Sequence, residues 1–412
     1  MVETVHDVAV VGGGLIGAAA ALGLAARGRE VLLVEPHRPA AVRGNLGMDL
    51  RTLALSPASR ALLDALGVWG RVEATPYRRM EVWEERGTRA MNFDAAMTGR
   101  EELGWIVENG PLVEVLWAAV DGHDAIRVHR GRLVEVAAGT DEVVLTLDAT
   151  AGGNEGAVPA PVTPTGPARA RLLIAADGAA SPAREMLGVA VRTYEVGQMA
   201  LATLVRTERP HDATAYQRFL LDGPVALLPG REERLSSVVW SQSPAEAERR
   251  RGLDDAGFAA ELGRAVQHRL GAVEAVDRRL TFPLRQHIAE RFNPHPRALL
   301  VGDAARVVHP LAGQGANLGL EDVRGVLEVL DGLAPGADPG SPGLWRAFDR
   351  RRGARARMMV GLMGALRQAY AAGDPLTQWL RNTGVGLLDG LVPLKRQIMV
   401  EAMGLGPVSR RA

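Results

Sequence analysis

A glycine-rich turn near the N-terminus constrains the fold of this chain more than any other feature. Residues 12–17 read Gly-Gly-Gly-Leu-Ile-Gly and fit the pattern GxGxxG. In this pattern Gly12 permits a tight turn, Gly14 lets a pyrophosphate approach the backbone, and Gly17 lets a helix pack closely on a strand. Leu15 begins the predicted helix, whose free N–H groups would face the anion. The pattern predicts a strand over 7–11, a helix over 15–27 and a bound dinucleotide.

An acidic residue completes this N-terminal unit. Glu35 follows a second apolar strand predicted over 30–34. A carboxylate at the end of that strand accepts hydrogen bonds from the ribose hydroxyls of an adenosine. A glycine-rich turn without any ligand is the alternative, but it does not explain why a strand and an acid follow the helix. The unit alone does not distinguish FAD from NAD.

Composition excludes several classes of function. The chain has 48 basic and 48 acidic residues, so no global field attracts nucleic acid. It has no cysteine, which excludes disulfides, thiolate metal sites and cysteine nucleophiles. We predict no metal site. Glycines interrupt the one long uncharged stretch, 8–26, and we find no signal peptide. We therefore expect a cytoplasmic protein.

Strands of the nucleotide-binding type return later in the chain, at 171–176 and 297–301. Between and before them, alternating apolar positions predict a β-meander over 125–148 and a separate antiparallel sheet. The strands of that sheet are predicted at 199–206, 216–221, 225–228 and 235–241, with helices following at 245–270. Residues 151–167 are rich in Gly, Pro, Ala and Thr and predict a loop.

This alternation predicts an α/β fold in which the chain leaves one domain and returns to it. We assign the nucleotide-binding domain to residues 1–80, 105–190 and 284–345. The antiparallel-sheet domain takes residues 81–104 and 191–283, and a C-terminal helical region takes 346–412.

Two further motifs lie where buried strands end. Asp177-Gly178 follows one strand, and Gly302-Asp303 follows the other. Ligands bind at the carboxyl edge of such sheets, where a short acid can hydrogen-bond a polyhydroxyl chain such as the ribityl of FAD. Residues 313–315, Gly-Gln-Gly, then open another helix, whose N–H groups can stabilise the negative charge of a reduced flavin.

The second of these segments, 302–322, resembles the GD motif of class A FAD-dependent aromatic monooxygenases, the para-hydroxybenzoate hydroxylase superfamily. Residues 177–184 resemble the DGxxSxxR motif of the same superfamily. The resemblance implies that superfamily's fold, with an FAD-binding Rossmann domain and an interleaved antiparallel-sheet substrate domain. The residues that would bind FAD are Gly12, Gly14, Leu15, Gly17, Glu35, Arg51, Asp177, Gly302, Asp303, Gly313, Gln314, Gly315, Ala316 and Asn317.

Finer features resemble the branch that hydroxylates polyprenyl phenols in ubiquinone biosynthesis. Residues 49–56 are similar to its DxRxxALS segment, residues 105–109 to YIVEN, and residues 309–315 to HPIAGQG. Arg306 and Trp105 depart from the His and Tyr that are common there. The resemblance implies hydroxylation of a hydrophobic phenol or quinol ring with NAD(P)H and O2, through a C4a-hydroperoxyflavin.

Substrate-side residues are less defined by the sequence. We select Trp240, His309 and Pro310 as candidates. His309 is either a proton relay near the flavin or a residue that orders its loop. Glu108-Asn109 is either a polar contact beneath the flavin or a helix start. No catalytic base can be named.

The C-terminal region contains an apolar stripe after a basic run. Met359, Leu362, Met363, Leu366 and Tyr370 have helical spacing, and Arg350, Arg351, Arg352, Arg355 and Arg357 precede or adjoin them. One interpretation is a helix packed on the body, with a solvated basic turn. The other is a peripheral surface that contacts membrane or a biosynthetic partner, formed with the apolar segment 376–403.

Three other functions compete with this hydroxylase. One is an FAD-dependent hydroxylase of another hydrophobic aromatic metabolite. The second is a flavin reductase or dehydrogenase acting on an isoprenoid or quinone. The third is a non-catalytic scaffold of the quinone pathway, which would not retain FAD.

Overall fold

The computed structural model describes residues 5–85, 90–148, 164–308, 314–334, 336–371 and 392–406. The strands in these ranges are β1 (Val5–Val11), β2 (Val31–Val34), β3 (Thr52–Leu55), β4 (Ala74–Tyr77), β5 (Arg79–Glu84), β6 (Met91–Asp94), β7 (Gly104–Glu108), β8 (Ile126–His129), β9 (Leu133–Ala138), β10 (Val143–Asp148), β11 (Pro164–Ala175), β12 (Val191–Tyr194), β13 (Met199–Thr207), β14 (Thr214–Leu220), β15 (Gly223–Pro229), β16 (Leu235–Gln242), β17 (Val273–Val276), β18 (Leu280–Pro283), β19 (Gln286–Ala289), β20 (Ala298–Leu300) and β21 (Arg306–Val307).

The helices in the same ranges are α1 (Leu15–Ala25), α2 (Pro57–Ala65), α3 (Asn109–Asp121), α4 (Pro182–Met186), α5 (Pro244–Arg251), α6 (Asp255–Ala265), α7 (Gln314–Asp331), α8 (Arg346–Ala371) and α9 (Val392–Ala402). Within the described residues, no helix has both the length and the apolar character required to cross a bilayer.

A parallel sheet forms the nucleotide-binding half. Its strands lie in the order β8-β2-β1-β11-β20, and each neighbouring pair is parallel. The central strands β1 and β2 are almost fully buried because helices cover the sheet, which explains their continuous apolar sequence. Small residues let α1 pack against both α3 and α7. This arrangement brings the ends of β1, β11 and β20 to one edge of the sheet.

Strand β11 is longer than predicted. Its first half pairs antiparallel with β10, and its second half pairs parallel with β1 and β20. Residues 164–167, predicted as part of a loop, therefore belong to a strand, because pairing with β10 supplies the hydrogen bonds that their composition does not predict. The remainder of the predicted loop lies outside the described residues.

An eight-stranded sheet forms the second half of the molecule. Its order is β17-β13-β16-β15-β14-β5-β6, with β18 beside β13. The four strands predicted from alternation are its centre, and β5 joins parallel to β14. One face packs on α6 through Phe258 and Leu262, and this contact forms a second hydrophobic core. The opposite face remains available to line a cavity.

Smaller elements connect the two halves. These elements are the three-stranded sheet β3-β7-β4 and the antiparallel group β12-β19-β21, whose strands alternate in the chain with those of the two halves. Near the C-terminus, α8 packs against α7. Met399 of α9 and Met403, which directly follows that helix, form a small core with Ala95 and Leu103. Residues 372–391, which include most of the predicted apolar C-terminal segment, lie outside the described residues.

Candidate functional site

The glycine-rich turn between β1 and α1 has the geometry that its sequence predicts. Gly12 has φ +97°, which favours glycine. A Cβ on Gly17 would lie 1.8 Å from the Gly12 carbonyl oxygen, so this close approach requires glycine. A Cβ on Gly14, in contrast, would meet no protein atom within 4 Å. The backbone at Gly14 therefore borders open space at the helix N-terminus.

Glu35 braces this turn from the end of β2. Its carboxylate accepts hydrogen bonds from the backbone N–H of Gly13 at 2.5 Å and from that of His37 at 3.1 Å. Trp117 on α3 donates its indole N–H to the Gly13 carbonyl at 2.9 Å and is fully buried. Sequence reasoning missed Trp117, which belongs to no motif. Contact of Glu35 with a ribose remains a prediction.

The segment around Arg51 is held by two buried acids. The Asp49 carboxylate accepts hydrogen bonds from the backbone N–H groups of Arg51 and Gly110, each at 2.9 Å. Glu108 accepts from the Asp49 backbone N–H at 2.6 Å and pairs with Arg231 at 3.1 Å. Glu108 thus acts as a brace beside the start of α3. The Arg51 side chain is half-exposed and donates to the Ala40 carbonyl, and its contact with FAD remains a prediction.

The DG motif is tied to the GD motif through one arginine. The Asp177 carboxylate accepts from the Ser181 hydroxyl and, at 2.9 Å, from the Ala183 backbone N–H at the start of α4. Burial raises the pKa of Asp177, although these hydrogen bonds oppose the shift. Arg184 is buried and donates to the carbonyl of Ala304 at 3.1 Å. Residues about 120 positions apart are therefore positioned together.

Asp303 lies at the carboxyl edge of the sheet, directly after β20. Its side chain remains exposed to solvent. Desolvation by the surrounding protein raises the pKa of Asp303, Arg306 opposes this shift, and Asp322 adds to it. The adjacent Gly302 has φ +59° and donates its backbone N–H to Asp322 on α7 at 2.9 Å. The backbone next to this acid is thus held by a carboxylate of the predicted flavin helix.

Asp322 belongs to a buried network of charges. It pairs with Arg306 and, at 2.5 Å, with Arg352 on α8. Arg352 also pairs with Glu321 at 3.1 Å, and Arg355 approaches the same carboxylate at 3.7 Å. The network joins the GD motif to the C-terminal helix.

This network corrects the interpretation of the basic run as a solvated turn. Arg350, Arg351 and Arg357 are exposed, but Arg352 and Arg355 point inward, because α7 presents carboxylates to them. In the apolar stripe, Met359 is buried whereas Leu362 is 50% exposed. The side chains of Met363, Leu366 and Tyr370 lie outside the described residues.

Asn317 uses its side chain to hold neighbouring protein segments. Its Oδ1 accepts from the Ser56 backbone N–H at 2.9 Å and from the Ser59 hydroxyl at 2.7 Å, and its amide donates to the Ala54 carbonyl at 2.8 Å. Because its side chain is used in this way, we expect Asn317 to contact a flavin through its backbone. This contact and those of Gln314, Gly315 and Ala316 with the flavin remain predictions.

These features fit the binding of an FAD molecule. The N-termini of α1 and α7 both point to the carboxyl edge of the parallel sheet, and a Cβ on Gly315 would meet nothing within 4 Å, as on Gly14. Unfilled space beside helix N–H groups is the environment that a pyrophosphate or a flavin edge requires. Gly313, His309 and Pro310 lie outside the described residues.

A cavity of about 230 Å³ lies next to the start of α7. Its apolar lining comes mainly from the eight-stranded sheet and from the end of α9, with further residues from and next to the sheet β3-β7-β4. It comprises Ala54, Met80, Phe93, Leu103, Ala215, Pro224, Ala226, Leu228, Val239, Met399, Ala402 and Met403. Its polar lining comprises Thr52, Ser56, Tyr77, Gln217, Ser241, Gln314 and Asn317. Among these described residues none is charged. Such a cavity suits an uncharged hydrophobic ligand.

Trp240, predicted on the substrate side, faces away from this cavity. Its ring packs edge-on against Phe258 at 6.3 Å and lies beneath Arg250, in the core between the sheet and α6. Its neighbours in β16, Val239 and Ser241, line the cavity instead, because successive side chains of a strand point to opposite faces. The sequence alternation predicted two faces but did not identify which one meets a helix.

Tyr77 and Gln217 were not identified from the sequence. Burial raises the pKa of Tyr77 to about 12, so its phenol remains protonated at neutral pH. Gln217 is buried on β14. Neither belongs to a motif, and only the alternation of β14 placed Gln217 on a definable face. In the part of the chain that the structure describes, no group of His, Asp or Glu has the arrangement of a metal site.

Comparisons with known proteins are consistent with this geometry. A model of the FAD binding domain family matches residues 5–361. The chain is 35% identical to 3-demethoxyubiquinol 3-hydroxylase of Escherichia coli, covering 97% of this chain and 98% of that protein. It is 34% identical to the ubiquinone hydroxylase UbiL of Rhodospirillum rubrum, covering 98% and 92%.

Among solved structures, p-nitrophenol 4-monooxygenase PnpA from Pseudomonas putida has the same fold. The TM-score is 0.75 at 18% identity, with 98% of this chain and 99% of that one covered. This likeness confirms the predicted fold class, an FAD-binding Rossmann domain with an interleaved antiparallel-sheet domain.

Proposed function

The chain belongs to the FAD-dependent aromatic monooxygenases, in the branch of the ubiquinone-biosynthesis hydroxylases, and we propose that it hydroxylates the ring of a polyprenyl phenol or quinol intermediate. FAD is the cofactor, and NAD(P)H is the co-substrate typical of this family. The observation that carries the proposal is the uncharged cavity, which meets the start of α7 at Gln314 and Asn317. A hydrophobic ring in that cavity would lie beside the predicted flavin edge.

The protein's own residues would position the reactants and exclude water. We propose that Gly12, Gly14, Leu15 and Gly17 hold the pyrophosphate, that Glu35 and Arg51 contact the adenosine half, and that Asp177, Gly302, Asp303 and residues 313–317 hold the flavin half. When bound, FAD supplies electron transfer from NAD(P)H and the activation of O2. Met399 and Met403 are buried, form part of the cavity wall and would limit the entry of water.

Turnover by purified protein tests this function. We expect NAD(P)H oxidation, O2 uptake and a product heavier by one oxygen when a short-chain prenyl phenol is added to the FAD-loaded protein. Quinone analysis of a strain without the gene would identify the ring carbon from the accumulated intermediate. A product formed without O2 uptake would instead indicate a reductase or dehydrogenase, and failure to hold FAD would indicate the scaffold.

The cofactor assignment of Asp303 has its own test. We expect Asp303→Ala to lose FAD during gel filtration at least tenfold more readily than the wild type, because no other acid follows β20 directly. Asp331→Ala is the matched control, since Asp331 is an exposed acid at the far end of α7 that pairs with Arg27. Equal flavin content in the two variants would contradict a role of Asp303 in FAD binding.

We also propose a peripheral membrane contact through α8. Met358 and Leu362 are 45% and 50% exposed and lie one turn apart, beside the exposed Arg351 and Arg357. Apolar side chains next to arginines suit an anionic bilayer surface. Met358→Ser with Leu362→Ser should reduce co-sedimentation with vesicles that contain anionic lipid. Unchanged sedimentation would contradict the contact. Deletion of the C-terminus is a poorer test, because it also removes Met399 and Met403 from the cavity.

A further inference from the structure

Three polar side chains of the cavity have hydrogen-bonding groups that the protein does not use. Within the described part of the chain, the side chains of Tyr77, Gln217 and Ser241 make no hydrogen bond, although all three line a mainly apolar cavity. Elsewhere near the cavity, Thr52 bonds to Ser237 at 2.8 Å, and Asn317 is bonded to Ser56 and Ser59. Polar groups recessed from solvent without a partner reduce stability unless a ligand or water satisfies them.

The position of Gln217 follows from the strand register. Gln217 on β14 pairs with Ala226 on β15, which pairs with Val239 on β16. Val239 lies two residues beyond Ser237, whose hydroxyl contacts β3. Two residues of an antiparallel strand span about 7 Å. Gln217 is also two strands away from Ser237, which adds about 10 Å across the sheet. The floor of the cavity between Gln217 and the β3 side is therefore wide enough for one substituted aromatic ring.

Tyr77 approaches the cavity from β4. It pairs with Gly104 on β7, where a Cβ would lie 3.0 Å from the Tyr77 hydroxyl, so glycine leaves room for the phenol. The raised pKa of Tyr77 keeps the phenol a neutral donor and acceptor. The absence of charge among the described lining residues disfavours a ring that carries a carboxylate, since a buried carboxylate requires a cationic partner.

We propose that Tyr77 and Gln217 form a clamp that binds the hydroxyl groups of a neutral phenol or hydroquinone ring and thereby determines which ring carbon faces the start of α7. The clamp rests on the proposed function and names its specificity residues. Both residues position the substrate by hydrogen bonding and take no part in bond formation or cleavage. They select phenolic rings over ring ethers of the same shape.

A pair of probes tests the clamp by binding alone. 2-Methoxyphenol and 1,2-dimethoxybenzene differ in one hydroxyl, and their binding to FAD-loaded protein is measured by the change in flavin absorbance. We expect the wild type to prefer 2-methoxyphenol about tenfold, which corresponds to about 1.4 kcal/mol. Tyr77→Phe and Gln217→Met should each reduce this preference below about threefold. 4-Hydroxybenzoate should bind at least tenfold more weakly than 2-methoxyphenol.

Tyr216→Phe is the matched control. Tyr216 precedes Gln217 on β14, but its ring packs against Trp83 in the core with α6. This variant should retain the wild-type preference and FAD content. A wild-type preference below threefold would overturn the clamp, as would an undiminished preference in both Tyr77→Phe and Gln217→Met. If either of these variants loses FAD, Gln217→Asn is measured in its place. The preference of the wild type for 2-methoxyphenol over 1,2-dimethoxybenzene is then still decisive.

The same variants separate the clamp from the proposed function. If the clamp positions the ring, Tyr77→Phe and Gln217→Met should raise the fraction of NAD(P)H oxidation in which O2 is reduced to hydrogen peroxide instead of hydroxylating the ring, without lowering FAD content. If the wild type hydroxylates no quinone precursor but retains the hydroxyl preference, the proposed function fails and the clamp stands. If it hydroxylates a precursor without that preference, the clamp fails and the function stands.

Discussion

The cofactor edge and the cavity use polar side chains in opposite ways. We define the cofactor edge as residues 12–35, 177–184 and 302–322. There, Glu35 bonds to Gly13, Asp177 to Ser181, and Asp322 to Gly302. In the cavity, Tyr77 and Gln217 have no partner in the described part of the chain. The motif residues therefore shape the backbone of the proposed cofactor site, whereas the proposed substrate contacts are residues that belong to no motif.

The strongest test of this comparison is a pair of glycine substitutions. Gly17→Ala should reduce the free energy of unfolding by more than about 4 kcal/mol, because the new Cβ would overlap the Gly12 carbonyl at 1.8 Å. Gly14→Ala should change the stability of FAD-free protein by less than about 1 kcal/mol, since it meets no protein atom, and should weaken FAD binding. Urea unfolding and FAD titration measure the two effects. Equal stabilities of the two variants would contradict the assigned geometry.

The second test asks whether the cofactor edge depends on the C-terminal helix. Arg352→Leu leaves the buried Asp322 and Glu321 without their shared cation and should cost about 3–5 kcal/mol in urea unfolding. Arg350→Leu, on the exposed side of α8, should cost less than about 0.5 kcal/mol. FAD affinity should fall with Arg352→Leu only, because Asp322 also holds the Gly302 N–H. Similar losses of unfolding free energy in both variants would contradict the stabilising role of Arg352 in the buried network.

A smaller effect is expected at Asn317. Asn317→Leu removes the acceptor for Ser56 and Ser59 and should cost about 2 kcal/mol, by leaving buried donors unsatisfied. If Asn317 contacts the flavin through its backbone, FAD affinity per folded molecule should change less than with Asp303→Ala. A larger loss of affinity than that of Asp303→Ala would show that the amide side chain itself contacts the cofactor.

Local sequence patterns predict the cofactor edge well. The βαβ unit, both acid-glycine motifs and the central strands of the substrate sheet were all recognisable, and β13, predicted over 199–206, is Met199–Thr207. Their signals are local, because a turn, a strand end or an alternation lies within about ten residues. FAD as the cofactor, the fold class and the family were predicted from these signals and are confirmed. The domain limits and the individual FAD contacts remain predictions.

The remaining features depend on residues far apart in the chain. Arg352 is buried because Asp322, 30 residues earlier, faces it across two helices. Trp240 turns from the cavity because α6 covers its face of the sheet. Tyr77 lies on a four-residue strand, and Met399 reaches the cavity from the C-terminal helix. Hydrophobic periodicity in the sequence does not predict such contacts, since they form only when separate elements pack together.

The smallest expected effect is the change of folding stability with pH, which has opposite directions at two sites in different regions of the molecule. His211, in the substrate half, donates to the Gly230 carbonyl at 3.1 Å and accepts from the Ala213 N–H at 3.2 Å. Burial lowers the pKa of His211, so the folded state favours the neutral ring. Its contribution to stability is complete above the unfolded histidine pKa of about 6.5 and is lost as the pH falls through the lowered folded pKa.

Asp177, at the cofactor edge, has the opposite sign. Burial raises the pKa of Asp177, so its contribution is complete below the unfolded aspartate pKa of about 4 and is lost as the pH rises through the folded pKa. His211→Gln should therefore flatten the fall in urea midpoint between pH 7 and 5, whereas Asp177→Asn should flatten its change as the pH rises from about 4. Identical pH profiles for His211→Gln and the wild type would show that His211 titrates normally, and that the two regions do not differ in this respect.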